Sequence, residues 1–321
     1  MTLTERLRQL SVGALFPMEP LENHCTWRIG GPADALVEPS SPQEVMNLLA
    51  FAREEAVPLL VIGRGSNLLF SDGGFRGVVM KLGRRFSALA VEGAGVVAQS
   101  GIWVPRLARA VAGAGLSGFE HAAGIPGSLG GLVVMNGGSL RRSVGENIRY
   151  VDALSPAGEF RRFARGECGF SYRRSVFQDG RDRAGWIILE AALDFEPSAR
   201  KAVRREHLKI LKERRAKFPL DLPNCGSVFT NDPAVYELAG PPGKIVEEAG
   251  MKGTVVGRAM VSPLHANFIV NLGGASASDV LGLISLIRRR VFERLGVWLE
   301  SEVRYAGENG TVLPASEACP R

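Results

Sequence analysis

Two glycine-rich segments, VIGRGSN at residues 61–67 and GIPGSLGG at residues 124–131, are the most informative features of this chain. The first one directly follows Leu59–Ile62, an apolar run typical of a buried strand. Because glycine lacks Cβ, consecutive backbone N–H groups in such loops can converge on one phosphate oxygen, and Ser66 and Ser128 could add hydroxyl donors. Spacing alone fits two tight structural turns equally well. Two such loops on one chain nevertheless indicate a diphosphate held from two sides, and therefore a dinucleotide.

Generic nucleotide and hydrolase motifs do not explain these loops. GAGLSG at residues 113–118 matches GxGxxG by letters, but it follows a predicted helix and precedes none, so we interpret it as a chance match. No Walker A sequence occurs. Ser227 lies in CGSVF, which does not fit the GxSxG nucleophile elbow, and hydrolysis is therefore not predicted.

Length and charge bound the class of protein. A chain of 321 residues predicts two or three domains, and its 39 glycines predict many tight turns. The net charge of +6 equals the excess in residues 201–217, where eight basic and two acidic residues give 8 − 2 = +6. The most favoured interpretation of this stretch is a solvated helix face, and the second is a surface that attracts an anionic small molecule. Nucleic-acid binding is the least favoured interpretation because no motif supports it.

The cysteines and histidines predict neither a disulfide framework nor a metal site. They are scattered, without a CxxC pair, which favours a reducing compartment. The N-terminus lacks the apolar core of a signal peptide, and no apolar run could span a bilayer. We expect a cytoplasmic protein without metal, membrane, nucleic-acid or obligate protein partners. The residues concerned are Cys25, Cys168, Cys225, Cys319, His24, His121, His207 and His265.

Periodicity and capping signals predict an alternation of helices and strands. Ser41, Pro42 and Glu44 predict a helix start with a capping box, and Ser278 and Gly296 predict the two ends of a late helix. Further helices are predicted at 104–112 and 198–217. Strands are predicted at 59–62, 77–82, 96–99, 150–154, 186–193 and 298–305. Residues after Ala306 are expected to be loose.

Three polar motifs are ambiguous when each is taken alone. FSYRRS at 170–175 could pair a carboxylate with an arginine or be a surface charge pair. NCGSVFTN at 224–231 fits an ordinary turn. In LESEVR at 299–304, Glu300, Glu302 and Arg304 would share one face of a strand, as in a solvent-facing edge strand.

Taken in order, the motifs resemble the UDP-N-acetylenolpyruvoylglucosamine reductase (MurB) family from about Asn23 to Tyr305. Eight blocks in one order are far more specific than any single block. They are NHCTWRIGGPA (23–33), IGRGSNLL (62–69), GFEHAAGIPGSLGGLVVMN (118–136), YRRSVF (172–177), CGSVF (225–229), EAGMKG (248–253), HANFIVN (265–271) and LESEVR (299–304).

This resemblance implies an α+β fold with FAD bound noncovalently in two subdomains of the vanillyl-alcohol-oxidase (PCMH) type. The expected divisions are residues 1–87 and 88–200 for FAD, 201–306 for the UDP-sugar, and a tail at 307–321. It implies that the two glycine-rich loops hold the FAD diphosphate. The implied FAD-binding residues are Gly63, Arg64, Gly65, Ser66, Asn67, Gly124, Ile125, Pro126, Gly127, Ser128 and Gly130.

The same resemblance implies a reaction and its residues. NADPH reduces FAD, and hydride then passes to the enolpyruvyl group of UDP-N-acetylglucosamine enolpyruvate, which gives UDP-N-acetylmuramate for peptidoglycan synthesis. Arg173 would stabilise the enolate, Ser227 would donate the proton, and Glu302 would assist, as a neutral acid only if its pKa were raised. The implied substrate contacts are Tyr172, Lys217 and Asn231.

The chain departs from the family pattern at several positions near these residues. They are Phe218 for Gln, Thr230 for Lys or Gln, Pro242–Gly243 for Ala-Gly, and Gly137 for Ala. The short stretch between Phe177 and Lys217 fits the compact family subtype that lacks a tyrosine-bearing insertion. The alternatives are another FAD oxidoreductase of this fold acting on a sugar or lactone, and a catalytically inactive nucleotide-binding protein.

Overall fold

The computed structural model describes residues 1–178 and 185–319. The α-helices are α1 (Leu3–Arg8), α2 (Pro42–Glu54), α3 (Val104–Gly113), α4 (Leu129–Val134), α5 (Arg200–Lys217), α6 (Pro233–Ala239), α7 (Pro242–Glu248) and α8 (Ala277–Leu295). Single 3-10 turns lie at Leu21–His24, Glu120–Ala122, Val144–Glu146 and Arg165–Cys168.

The strands are short and group into small sheets. Those of the first half are β1 (Ala14–Pro20), β2 (Pro32–Glu38), β3 (Leu59–Ile62), β4 (Leu68–Phe70), β5 (Phe75–Lys81), β6 (Leu89–Glu92), β7 (Gly95–Gln99), β8 (Leu116–Ser117) and β9 (Ile148–Leu154). Those of the second half are β10 (Phe160–Ala164), β11 (Ile187–Asp194), β12 (Glu196–Pro197), β13 (Val255–Val256), β14 (Ala259–Val261), β15 (Ile269–Asn271), β16 (Arg304–Ala306) and β17 (Val312–Pro314).

The chain forms two compact units, each built from separate segments. The first unit comprises Met1–Pro17, Ala35–Arg64 and Gly77–Arg214, and the second comprises Met18–Asp34, Gly65–Arg76 and Arg215–Arg321. The three domains and tail expected from the family resemblance have other boundaries and stay a prediction.

The first unit contains a five-stranded antiparallel sheet in the order β10-β9-β11-β7-β6. Helices α3 and α4 contribute their apolar residues to the core that this sheet forms, where Leu107, Leu129 and Val151 are fully buried. A second core collects the apolar face of α2, with Val45 and Leu48, against Val78 on β5. β5 pairs in parallel with β3 within a four-stranded sheet of order β1-β2-β5-β3.

The second unit is held together by a buried tryptophan and by helix α8. Trp27 is completely buried, and its indole N–H donates to the carbonyl oxygen of Ile269 at 2.8 Å. α8 packs on β13 and β14 of the three-stranded sheet β13-β14-β15 and buries Val280, Leu283 and Ile287. A separate sheet has the order β17-β16-β4.

The start of α2 is confirmed, but its predicted capping box is wrong. The Ser41 side chain accepts a hydrogen bond from the backbone N–H of Glu44 at 3.2 Å, as an N-cap residue should. The Glu44 carboxylate does not accept a hydrogen bond from the backbone N–H of Ser41, as a capping box would require. It accepts instead from the backbone N–H of Ser40 at 2.6 Å and from its hydroxyl at 2.9 Å. The cap therefore extends over both serines.

The predicted N-cap of α8 is wrong by two residues. Ser276, not Ser278, caps the helix in a capping box with Asp279, whereas the Ser278 hydroxyl donates to Asp72 at 3.0 Å. The Asp72 carboxylate also accepts from the backbone N–H groups of Ala277 and Ser278. The end at Gly296 is confirmed, since this residue has a left-handed φ of 68°.

The predicted strand at 298–305 is mostly wrong, and so is the loose tail. Only Arg304–Ala306 forms a strand there, pairing in parallel with β4. Ser301 lies in an isolated bridge with Phe229, although burial still alternates, with Ser301 and Val303 buried between more exposed neighbours. Beyond Ala306, β17 pairs with β16, and Ser316 is buried. Residues 320–321 of the expected tail lie outside the described residues.

The described residues contain neither a helix that could span a membrane nor a cluster of metal-ligating side chains. No helix in 1–178 or 185–319 combines the length and apolar character needed to cross a membrane. Across the same ranges, no three His, Cys, Asp or Glu side chains lie close enough together to hold a metal ion.

The first unit buries a histidine, and this should make stability depend on pH. The His121 side chain is 3% exposed, its ring is 5.5 Å from that of Phe119, and burial lowers its pKa. A folded-state pKa below the unfolded value of about 6.5 stabilises the fold above that pH, and the stabilisation is lost as pH falls towards the folded pKa. We expect His121→Gln to flatten the decline in melting temperature between pH 7.5 and pH 5.5. Parallel declines in both proteins would contradict this.

Candidate active site

The two glycine-rich loops meet at Gly63 and Ser128 in the first unit. A Cβ built on Gly63 would lie 2.0 Å from the Ser128 Oγ, far inside van der Waals contact. Only glycine therefore fits at the end of β3. The sequence predicted that the two loops hold one diphosphate from two sides. In the structure the loops lie close together at these two residues.

The loop after β3 has backbone donors available for a ligand. Within residues 1–178 and 185–319, no N–H group of residues 63–67 donates to a protein acceptor. Gly65 has a φ of 60°, and a Cβ there would lie 2.3 Å from the carbonyl oxygen of His24. N–H groups without a protein acceptor, in a turn whose two glycines leave no room for a Cβ, suit phosphate oxygens. The residues thus fit an FAD diphosphate.

The second loop is fixed by backbone bonds to the segment before α3. Gly127 accepts from the Val104 N–H at 3.0 Å, and the Gly130 N–H donates to Ser100 at 2.8 Å. The Ser128 hydroxyl caps α4 by accepting from the Gly131 N–H at 3.4 Å. The N–H groups of Gly127 and Ser128 have no protein acceptor among the described residues, which leaves them for a ligand.

The remaining loop residues have distinct surroundings. The Arg64 guanidinium stacks over the Trp103 ring at 5.5 Å, and Ile125 packs against the core of the first unit. Gly124 has a φ of 75°, and a Cβ there would lie 3.1 Å from the Arg214 Nε. Arg214 was not selected from the sequence, yet burial lowers the pKa of this cation beside the loop.

In the second unit, a predicted FAD-binding residue contacts a predicted catalytic one. The Asn67 side chain donates to the carbonyl oxygen of Glu302 at 3.0 Å, and the Arg304 N–H donates to the Asn67 carbonyl oxygen at 3.1 Å. These bonds continue the parallel pairing of β4 with β16. The segment that carries Glu302 is therefore fixed to the end of the glycine-rich loop.

Ser227 lies beside the same segment. The Glu302 N–H donates to the carbonyl oxygen of Val228 at 2.8 Å. The buried Asn267 exchanges two bonds with the backbone of Phe229, at 2.9 and 3.0 Å. The Ser227 hydroxyl has no hydrogen bond to protein among the described residues, so it is available to a substrate. Asn267 was missed from the sequence, although it lies in HANFIVN.

A buried thiol lies close to these residues. Burial, and then the charge of Glu302, raises the pKa of Cys225 well above its usual value. The raised pKa favours the neutral thiol over the thiolate, which is the nucleophilic form of cysteine.

Arg173 lies in a tight turn of the first unit. Ser171 and Arg174 exchange two backbone hydrogen bonds of 3.1 Å, and Arg173 between them has a φ of 53°. Its Nη1 donates to the carbonyl oxygen of Gly138 at 3.3 Å, while Tyr172 is largely exposed. A left-handed non-glycine residue is strained, and such strain is concentrated at functional positions.

Two of the predicted substrate contacts, Asn231 and Lys217, lie in the second unit. Asn231 Oδ1 is buried without a hydrogen-bond partner among the described residues, which is unusual for a side-chain amide. Lys217 is exposed, with its Nζ 5.7 Å from the Phe218 ring centre. Phe218 in turn stacks on Phe268 at 5.0 Å and contacts His265, whose pKa burial and Lys217 lower.

Comparisons with known proteins agree with these features. Residues 33–164 match the family model of the FAD binding domain, which confirms the predicted FAD-binding α+β fold. Residues 218–306 match the model of the UDP-N-acetylenolpyruvoylglucosamine reductase C-terminal domain. The fold and its two loops thus define an FAD-containing oxidoreductase.

Full-length relatives identify the family within this class. The UDP-N-acetylenolpyruvoylglucosamine reductase 1 of Corynebacterium glutamicum is 47% identical over 91% of this chain and 86% of its own length. The reductase of Heliobacterium modesticaldum is 43% identical over 93% and 92%. The crystal structure of the reductase (MurB) from Thermus caldophilus matches with a TM-score of 0.75, 32% identity, and coverage of 91% and 98%. The chain belongs to the UDP-N-acetylenolpyruvoylglucosamine reductase family.

The close approach at Gly63 predicts a test of the cofactor site. We expect Gly63→Ala to separate the two loops and to weaken FAD binding at least ~10-fold, since its Cβ would clash with Ser128. The measurement is FAD affinity, from the quenching of flavin fluorescence on titration of apoprotein. Gly113→Ala is the matched control, because a Cβ there meets nothing within 4 Å. Equal FAD affinity of the two variants would contradict the prediction.

Proposed function

We propose that this chain reduces UDP-N-acetylglucosamine enolpyruvate to UDP-N-acetylmuramate, a step of peptidoglycan precursor synthesis. NADPH would be the electron donor, and FAD, held by the two glycine-rich loops, would supply the redox chemistry that carries a hydride from NADPH to the substrate. The observation that carries the proposal is the Ser227 hydroxyl, which has no protein partner among the described residues and lies on the segment bonded to that of Glu302.

The chemistry requires a positive charge and an acid from the protein. When hydride adds to the methylene carbon of the enolpyruvyl group, the C=C electron pair moves to the adjacent carbon and into the carboxylate, as an enolate. A proton must then add to that carbon to give the lactyl ether. Preorganised charges act most strongly where charge develops in the transition state.

We assign the charge to Arg173 and the proton to Ser227. The Arg173 guanidinium would bind the substrate carboxylate, and its fork geometry suits two carboxylate oxygens. Serine is a weak acid in water, but an enolate carbon is strongly basic, and a donor held in place needs no matched pKa. Glu302 would assist at the carboxylate, on the segment that Asn67 and Val228 hold.

The remaining predicted residues would bind the UDP-sugar. Lys217 has an exposed ammonium suited to the diphosphate, and the buried Oδ1 of Asn231 needs a donor that a sugar hydroxyl or amide can supply. Tyr172, exposed beside Arg173, is the third contact. The assignment to the compact subtype rests on residues 178–216, of which 179–184 lie outside the described residues.

We also propose that the enzyme works in the cytoplasm. Cys25, Cys168, Cys225 and Cys319 are all free thiols, as expected in a reducing compartment. This proposal requires that the UDP-sugar substrate and NADPH are both present in the cytoplasm.

A visible spectrum of the purified protein tests the proposed function directly. We expect flavin absorbance that bleaches on anaerobic addition of NADPH and returns on addition of the enolpyruvyl UDP-sugar. A flavin that NADPH bleaches but this sugar does not reoxidise would favour another oxidoreductase of the same fold, acting on a sugar or lactone. A protein that cannot be loaded with FAD would overturn the enzyme assignment.

Replacement of Ser227 separates the two half-reactions. We expect Ser227→Ala to leave bleaching by NADPH unchanged and to slow reoxidation by the enolpyruvyl sugar at least ~100-fold, the usual size of a general-acid contribution. The measurement is stopped-flow absorbance of each half-reaction. Cys225→Ala is the control, because its buried thiol lies two residues away and has no assigned role. Normal reoxidation of Ser227→Ala would remove Ser227 from the mechanism.

A further inference from the structure

The backbone of Arg173 is held in a conformation that it would not adopt alone. Its φ of 53° lies in the left-handed region, at the third position of the turn Ser171–Arg174, where glycine is usual. A side chain in this region destabilises the turn, because its Cβ lies too close to the following carbonyl oxygen. The contacts that stabilise this turn therefore determine where the guanidinium is presented.

One side-chain amide holds the first half of the turn. Asn136 donates from Nδ2 to the carbonyl oxygen of Ser171 at 2.7 Å and accepts at Oδ1 from the Gly145 N–H at 3.0 Å. Its side chain is buried, and its own φ is 41°. Because one bond needs the amide as donor and the other as acceptor, only one orientation of the side chain satisfies both.

A second amide holds the other half of the turn. Gln178 donates from Nε2 to the carbonyl oxygen of Arg173 at 2.8 Å and contacts the Met135 sulfur at 3.4 Å. The Arg173 side chain itself bonds to Gly138 at 3.3 Å. Residues 134–138 thus contact the turn repeatedly, and the Ser175 hydroxyl adds a bond to the Val134 carbonyl oxygen at 2.6 Å.

The segment 134–138 also connects the turn to the second glycine-rich loop. It begins at Val134, the last residue of α4, and Ser128 of that loop caps the start of α4. The helix has six residues and is therefore about 9 Å long. A rigid connection of this length fixes Arg173 relative to the loop that would hold the FAD diphosphate.

We propose that Asn136 is a positioning residue for the second half-reaction. It sets the turn so that the Arg173 guanidinium meets the substrate carboxylate when hydride arrives, and Gln178 supports it. This inference rests on the proposed function, since it assigns no chemistry of its own to Asn136.

The test is Asn136→Gly in the FAD-loaded enzyme. Glycine tolerates the positive φ of this position, so the variant removes both amide bonds without adding backbone strain. We expect bleaching by NADPH to stay within ~2-fold and reoxidation at saturating enolpyruvyl sugar to slow ~10- to 100-fold, as expected for a misplaced catalytic group. Flavin content and melting temperature monitor folding. If this variant does not fold, Gln178→Ala should show the same selective loss.

A double-mutant cycle separates positioning from a general structural effect. If Asn136 acts through Arg173, Asn136→Gly should slow reoxidation no further in an Arg173→Ala background. Arg174→Ala, the exposed neighbour in the same turn, is the control and should be near normal. Equal slowing in both backgrounds, or slowing of both half-reactions, would overturn the inference. Normal reoxidation by Arg173→Ala would instead overturn the role assigned to Arg173 in the proposed function.

Discussion

The missing Cβ at Gly63 is the constraint on which the first unit's candidate site depends. Strand β3 can end against Ser128 only because no side-chain carbon lies between them. Ser128 caps α4, α4 leads into residues 134–138, and this segment holds the turn that carries Arg173. The close approach of Gly63 to Ser128 therefore connects the glycine-rich loop, which suits a phosphate, to Arg173, which suits a carboxylate.

The second unit has a corresponding but separate organisation. Its central link is backbone pairing: Asn67 bonds to Glu302, and Glu302 bonds to Val228, the residue after Ser227. Asn267 completes the arrangement by satisfying both backbone groups of Phe229. These bonds fix the segment that carries Ser227, while its hydroxyl has no protein partner among the described residues, so the hydroxyl is available for the proton transfer proposed for it.

Local signals predicted helices better than they predicted strand ends. Ser41 and Gly296 act through bonds within a few residues, so their roles could be deduced from the sequence. The start of α8 was assigned to the wrong serine, although Ser276 and Asp279 form a local capping box. The Ser278 hydroxyl bonds instead to Asp72, which is distant in the chain. Likewise, β17 exists because it pairs with β16, which no short-range pattern reveals.

The same distinction applies to the site. The glycine-rich loops were visible as composition, and the ordered motifs indicated the family, but Asn136, Gln178 and Asn267 were not selected. Asn136 and Asn267 bond to backbone groups more than 30 residues away, and Gln178 bonds to the backbone of Arg173 five residues away. A lone amide has no spacing signature in either case. The sequence therefore predicted which side chains could take part in the chemistry. The amides that orient those side chains could be identified only from the structure.

The left-handed backbone of Arg173 has a consequence for attempts to make this protein more robust. Any procedure that selects for thermal tolerance alone should favour glycine at this position, because it relieves the unfavourable φ. Under the role proposed for Arg173, such a variant would melt higher and turn over poorly. Arginine at this position therefore lowers thermal stability while supporting turnover. Only a selection that also measures turnover would retain it.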